Sequence, residues 1–330
     1  MLVLILVAVG LLADRLGWID EATPTPFAAN TGEGTIGIFV EPDDGRAPIL
    51  DELDAAERSI TLQVYLLSDD EIIAALIHAA DRGVNVRVLL EEHPFGGAGL
   101  NPGSFEELAA GGVAVRWSNP VFVFSHVKTF VVDGQVAIVM NANMTTSAFT
   151  RNREFGAITT RPADVVQAAA IFEADWNRSA EPGTGPLVVS PTDSRPRLLD
   201  LIDGADRSID VYAEVVRDEE IVAALLAALE RGVALRLIMS ADSSEDEDRG
   251  DDARAELRAA GAEVRFLNSP YIHAKIVLVD RVRAYLGSQN FTATSLDLNR
   301  EIGLIFDEPA GIARIARTFE TDFAKAKPAT

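Results

Sequence analysis

The chain repeats itself once, and that repeat decides its architecture before any local pattern does. ERSITLQVYLLSDDEIIAALIHAADRGVNVRVLL, from Glu57, aligns with DRSIDVYAEVVRDEEIVAALLAALERGVALRLIM, from Asp206, at an offset of 149 residues. HVKTFVVD and HAKIVLVD, then NREFG and NREIG, align at an offset of 147, so the two-residue change falls in a loop. Within each copy TLQVYLL and DVYAEVV read as strands, whereas DEIIAALIHAADRG and EEIVAALLAALERG carry apolar residues at helical spacing and close on Gly83 and Gly232. Strands joined by crossover helices predict an α/β fold: two homologous lobes, each a mainly parallel β-sheet covered by helices, related by a pseudo-twofold axis. The expected boundaries are residues 35–180 and 186–328, with the Pro- and Gly-containing segment from Glu181 to Pro186 as the joint. A length of 330 residues agrees, since single cores stop growing near ~250 residues.

Residues 1–34 read as an apolar amino-terminal segment and a linker. LVLILVAVGLL, residues 2–12, is shorter than the roughly 20 residues a spanning helix needs and has the length of a signal-peptide core, although no basic residue precedes it. The expectation is an exported or membrane-associated protein, with a cytoplasmic location as the alternative. After the third strand of each copy the loops differ: EEHPFGGAGLNPGS is Gly-rich, and SADSSEDEDRGDD is an acidic run read as a solvated loop. There are no cysteines, which excludes disulfides, a thiolate metal site and a cysteine nucleophile.

The chemistry is concentrated in a second duplication. His126, Lys128 and Asp133 in one copy match His273, Lys275 and Asp280 in the other; Asn143 and Asn290 follow, and 11 residues beyond each stands Glu154 or Glu301. A lone histidine in an apolar run is usually a core residue. This chain, however, has four lysines among 29 basic residues and four histidines, and it places half of each in these two motifs. On a strand, residues two apart share a face, so each imidazole has an ammonium beside it. Such groups suit attack on phosphorus. One neutral imidazole serves as nucleophile, a protonated one gives its proton to the departing oxygen, and lysine and asparagine carry the phosphoryl charge with no metal or cofactor required. Glu154 and Glu301 are the candidates for orienting the rings. Asp133 and Asp280 end their strands, and a structural role there is as well supported as a chemical one.

HAKIVLVDRVRAYLGSQN fits His-x-Lys-x4-Asp-x6-Gly-Ser-x-Asn in full and resembles the phospholipase D superfamily, over nearly the whole chain from residue 35 to 328. The resemblance implies one site between the lobes and a two-step reaction through phosphohistidine, with His126 as nucleophile and His273 as acid and base. It also implies that one monomer completes the site, and it makes Ser288 a supporting residue. Copy one departs from the pattern, with Met140-Asn141 in place of Gly287-Ser288, and the Asn141 amide is the expected substitute for the hydroxyl. A formal charge of -22 speaks against a nucleic-acid partner. The expected function is a phospholipase D-type hydrolase of glycerophospholipid head groups, with a phospholipid at a membrane surface as partner. The alternatives are a cardiolipin synthase-like phosphatidyltransferase, a metal-independent endonuclease and an inactive phosphate-binding scaffold. The apolar run Pro120–Phe124 is expected to be a buried strand, or else a wall facing acyl chains.

Overall fold

The structure, a computed structural model, describes residues 33–95, 100–241 and 250–329. The apolar run 2–12, the tip of the Gly-rich insertion and most of the acidic run lie outside the described residues. Lobe 1 carries strands β1 (Ile36–Glu41), β2 (Ser59–Val64), β3 (Asn85–Leu90), β4 (Ala114–Trp117), β5 (Lys128–Val132), β6 (Val136–Met140) and β7 (Asn152–Thr159), in the sheet order β1-β7-β6-β5-β2-β3-β4. Lobe 2 carries β8 (Leu187–Ser190), β9 (Ser208–Tyr212), β10 (Ala234–Met239), β11 (Glu263–Phe266), β12 (Tyr271–Ile272), β13 (Ile276–Val279), β14 (Arg283–Gly287), β15 (Glu301–Phe306) and β16 (Lys327–Pro328). Its sheet runs β16-β11-β10-β9-β13-β14-β15-β8, and β12 pairs instead with β7 of lobe 1.

The two α/β lobes are as the repeat predicts, but the sheets are mixed rather than mainly parallel. Only β2-β3-β4 and β9-β10-β11 run parallel within a lobe, where a crossover helix returns the chain to start the next strand at the same end of the sheet. Between β5 and β6, and between β13 and β14, the chain reverses over three residues, which permits only an antiparallel hairpin. Asp133 and Gly134 take φ of 53° and 63° in the first turn, and Asp280 and Arg281 take 52° and 58° in the second.

The crossover helices Asp70–Asp81 and Glu219–Glu230 begin on equivalent caps, where Asp69 accepts from Ile72 N–H and Asp218 from Ile221 N–H. They end where Gly83 and Gly232 adopt φ of +89° and +87°, conformations that an L side chain resists. Each lobe has its own core between sheet and helices, built on residues such as Leu62, Ile72 and Phe130, or Val211, Ile221 and Val277. A third core, containing Val139, Phe155, Tyr212, Ile276, Leu304 and Phe319, is shared between the lobes. Helices Pro162–Asn177 and Pro309–Lys325 help to close this seam. No helix among the described residues is long and apolar enough to cross a membrane.

Two buried ion-pair networks lock the seam at equivalent places. Arg153 of lobe 1 donates two bonds to Asp322 (2.7 and 3.1 Å), which also accepts from Tyr212 Oη (2.8 Å). Arg300 of lobe 2 donates to Asp175 (2.9 and 3.0 Å), which also accepts from Gln63 (2.9 Å). Both arginines therefore hold the lobes together, one residue before the motif glutamates, Arg153 within β7 and Arg300 immediately before β15.

Candidate active site

The segments that carry the histidines cross to the other lobe. β12 runs parallel to the start of β7, with Ile272 opposite Arg153, and His273 N–H donates to Arg153 O (3.3 Å). Ser125 makes the equivalent parallel bridge to Arg300, and His126 N–H donates to Arg300 O (2.9 Å). A buried acceptor steadies each approach: Glu91 takes Ser125 N–H (2.6 Å), and Ser240 Oγ takes Ile272 N–H (2.6 Å). Neither histidine lies within a regular strand, since β5 begins at Lys128 and β13 at Ile276.

That crossing produces an exchange which sequence spacing does not show. Glu301, from lobe 2, meets His126 Nδ1 at 2.9 Å, and Glu154, from lobe 1, meets His273 Nδ1 at 2.9 Å. Both carboxylates are fully buried, whereas the imidazoles keep 12% and 13% of their side-chain surface exposed. An ionised carboxylate at Nδ1 assigns the ring proton to that nitrogen, so the Nε2 edge of His126 presents a lone pair. Burial, with Lys128 and Lys275 adding to it, brings His126 down to about 4 against the opposing pull of Glu301, so its ring is neutral near pH 7. Burial pushes the Glu301 carboxyl up, but His126, Lys128 and the Asn299 amide outweigh it and hold it below its ordinary value.

The lysines lie beside the rings but bond to the backbone: Lys128 Nζ donates to His126 O (2.8 Å) and Lys275 Nζ to His273 O (2.7 Å). Burial, reinforced by Lys275, lowers Lys128 well below the ordinary lysine value. Lys275 of the second motif adds to the lowering of both His126 and Lys128 of the first. Asn143 and Asn290 follow β6 and β14, and the Oδ1 of each is buried without a hydrogen-bond partner. Neither asparagine is among the groups bonded to the imidazoles.

The remaining motif residues bond to the backbone of neighbouring strands. Asp133 accepts from the N–H groups of Glu57, Arg58 and Ser59 (3.0, 2.7 and 2.8 Å), and Asp280 from those of Asp206, Arg207 and Ser208 (3.0, 2.7 and 2.8 Å). Each fastens the hairpin turn to the start of the adjacent strand. At about 3.3 Å per residue, it lies on the order of 20 Å along the chain from its histidine. Burial pushes Asp280 up, but the three backbone donors prevail and hold it below its usual value. Ser288 Oγ accepts from Ile302 N–H (3.2 Å), and Asn141 Oδ1 accepts from the equivalent Phe155 N–H (2.7 Å). The amide does replace the hydroxyl, but as a tie between strands.

Met140 has an equally local reason. A Cβ on Gly287 would come within 2.3 Å of the Tyr285 hydroxyl and 2.7 Å of Gln289. Lobe 1 has Ile138 and Ala142 at those two places, which leaves room for a methionine side chain. The departure from Gly-Ser thus goes with a change of packing at these neighbouring positions. The expected strand at Pro120–Phe124 is absent: this stretch is a loop whose Val121 and Val123 are exposed, with Val123 N–H bonded to Leu298 O (3.1 Å).

Two residues beside the histidines carry no motif signal. Tyr65, just after β2, sets its ring edge-on to His126 with centroids 4.6 Å apart, and Lys128 Nζ lies 5.0 Å from the same ring. Burial, against a bond from Phe95 N–H, pushes the Tyr65 hydroxyl up to about 12, so it stays a neutral phenol. At the equivalent place after β9 stands Glu214, 2.7 Å from Lys275 Nζ and 3.4 Å from His273 Nε2. The offset of 149 residues between copies pairs these two positions and could have found them.

Behind Glu154 lies a third carboxyl. Glu41 is opposite Glu154 in the β1–β7 register and is fully buried. Burial, opposed by the Gly45 amide and reinforced by Asp44, Glu154 and Asp43, raises it from 4.5 to about 8. A pKa raised in the folded state contributes stability that is complete below the unfolded value and is lost as pH rises through about 8. Glu41→Gln is therefore expected to stabilise the fold by about 3 kcal/mol at pH 7 and hardly at all at pH 4. Urea unfolding of both proteins at the two pH values measures the difference, and an equal gap at both would contradict the assignment.

The duplicated sheets and the paired His–Glu contacts across their seam define the class: the chain belongs to the phospholipase D superfamily. The family described as "Cardiolipin synthase, PLD-like domain" matches residues 49–176 and again 198–325. Among named relatives, the chain is 28% identical to the cardiolipin synthase of Geobacillus kaustophilus (strain HTA426), over 94% of this chain and 70% of that protein. It is 25% identical to the major cardiolipin synthase ClsA of Bacillus subtilis (strain 168), over 89% of this chain and 70% of that protein. The fold is similar to that of phosphatidylserine synthase from Haemophilus influenzae Rd KW20, with a TM-score of 0.69 at 12% identity over 89% of this chain and 87% of that one. The relatives favour the transferase alternative over the hydrolase expected as the main reading.

Proposed function

We propose that the chain is a phosphatidyltransferase of the cardiolipin-synthase type, which moves a phosphatidyl group from one glycerophospholipid to a hydroxyl of another. The observation that carries this reading is the pair of imidazoles in one site, each held at Nδ1 by the other lobe's glutamate. His126 Nε2 attacks phosphorus, and the bond to the leaving alcohol breaks as His273 gives that oxygen a proton. In the second half His273 takes the proton of the acceptor hydroxyl, whose oxygen bonds to phosphorus as the phosphorus–nitrogen bond breaks. The two lysine side chains, with the Asn143 and Asn290 amides, stabilise the charge on the non-bridging oxygens. The names of the relatives support a lipid substrate, and so do the exposed apolar side chains of Val121 and Val123, on the segment that leads to His126, and of Leu298, whose carbonyl accepts from Val123 N–H.

The test is incubation of the full chain with phosphatidylglycerol vesicles, chelator and a little ethanol, with lipid products read by mass spectrometry. Cardiolipin and phosphatidylethanol are expected. Phosphatidic acid alone would return the reading to a hydrolase, and cleavage of single-stranded DNA with no lipid turnover would replace it with a nuclease.

A further inference from the structure

The two halves of the site are not equivalent, and the difference lies outside every motif residue. Among the described residues His126 is paired with one carboxylate, Glu301 at Nδ1, and has the neutral Tyr65 ring beside it. His273 has two, with Glu154 at Nδ1 (2.9 Å) and Glu214 near Nε2 (3.4 Å). Among the described residues, the charged groups that face His273 are these two carboxylates and Lys275, which is itself paired with Glu214 at 2.7 Å. Around His126 stand Glu301, Lys128 and Lys275.

We infer that Glu214 is the positioning residue that breaks the twofold symmetry of the site, holding His273 as the imidazolium acid and leaving the phosphoryl group to His126. Two physical arguments carry this. A carboxylate near each ring nitrogen favours the charged form of His273, whereas among the described residues the one carboxylate paired with His126 is at Nδ1. The separation of 3.4 Å is an ion-pair contact that leaves the Nε2 proton available to a leaving oxygen. The same carboxylate repels a phosphoryl group from His273 Nε2, so the covalent intermediate forms on the ring that lacks such a neighbour. Glu214 also pairs with Lys275, whereas Lys128 Nζ faces the Tyr65 ring at 5.0 Å, so the two lysines differ in their neighbours as the two histidines do.

The chemistry of this inference rests on the phosphotransfer reading above, but its first test does not. The full chain, labelled with ¹⁵N-histidine, is titrated by NMR without substrate; its four histidines are assigned by single substitutions. His273 is expected to hold its second proton to a pH at least one unit above His126. Glu214→Gln should lower the pH at which His273 loses it by one unit or more, moving His126 less, and Glu214→Asp should restore most of the gap. Histidines that titrate together, or a His273 unmoved by Glu214→Gln, would overturn the inference.

The second test varies the leaving group on a phosphodiester. Glu214→Gln should slow release of an alkyl alcohol, which needs the His273 proton, by at least tenfold more than release of p-nitrophenolate, which does not. Equal slowing of both would mark Glu214 as merely structural. Titration with the expected order but no lipid turnover would leave Glu214's assignment standing while the lipid reading fell.

Discussion

His126→Ala is expected to lower phosphodiester turnover at least about 10⁴-fold, because it removes the proposed nucleophile and His273 is assigned to the leaving oxygen. His273→Ala is expected to cost on the order of 10²–10⁴-fold with an alkyl leaving group, the usual worth of a positioned acid, and less with p-nitrophenolate. With that activated substrate His273→Ala should accumulate a phosphoenzyme that His126→Ala never forms, which intact-protein mass spectrometry after acid-free quenching would detect. Mixing the two inactive variants should restore nothing, because each chain makes both His–Glu contacts within itself. Turnover that survives both substitutions would remove the catalytic assignment altogether.

The second large effect concerns stability. Arg300 and Asp175 are both almost fully buried, and the pair joins the lobes. Burial pushes the Asp175 carboxyl up despite Arg300 and Gln63, a direct sign that this charge is costly to hold away from water. Arg300→Met is expected to destabilise the fold by about 3–5 kcal/mol, because it leaves that carboxylate without its cation. Arg300→Met combined with Asp175→Leu should recover most of the loss, since a buried ion pair is of similar stability to a well-packed apolar one. Denaturant unfolding measures both. A single variant that costs less than about 1 kcal/mol would mean that water or Gln63 already satisfies Asp175.

Much of this architecture is written in local patterns. Helical spacing at 70–81 and 219–230, with Asp caps before and Gly after, acts within a dozen residues, and the duplication exposes two lobes without any long-range knowledge. The scarcity of lysine and histidine makes the two motifs visible for a similar reason: composition is a property of the chain itself. The sheets' mixed character was less legible, because β6 and β7, like β14 and β15, pair antiparallel although a short helix lies between them in the chain. Residues 120–124 misled because an apolar run reads alike whether it is buried or left at a rim.

What the sequence by itself determined was the set of chemical groups and the doubling of the fold, since both follow from residue identity and spacing along one chain. The tertiary structure alone decided how those groups are paired. An internal alignment treats each copy as self-contained and so cannot show that Glu301 serves His126 while Glu154 serves His273. That exchange arises because the histidine-bearing segments extend along the other lobe's glutamate strands. Only in the folded chain, likewise, does the change from Tyr65 to Glu214 become a difference in charge beside two otherwise matched imidazoles.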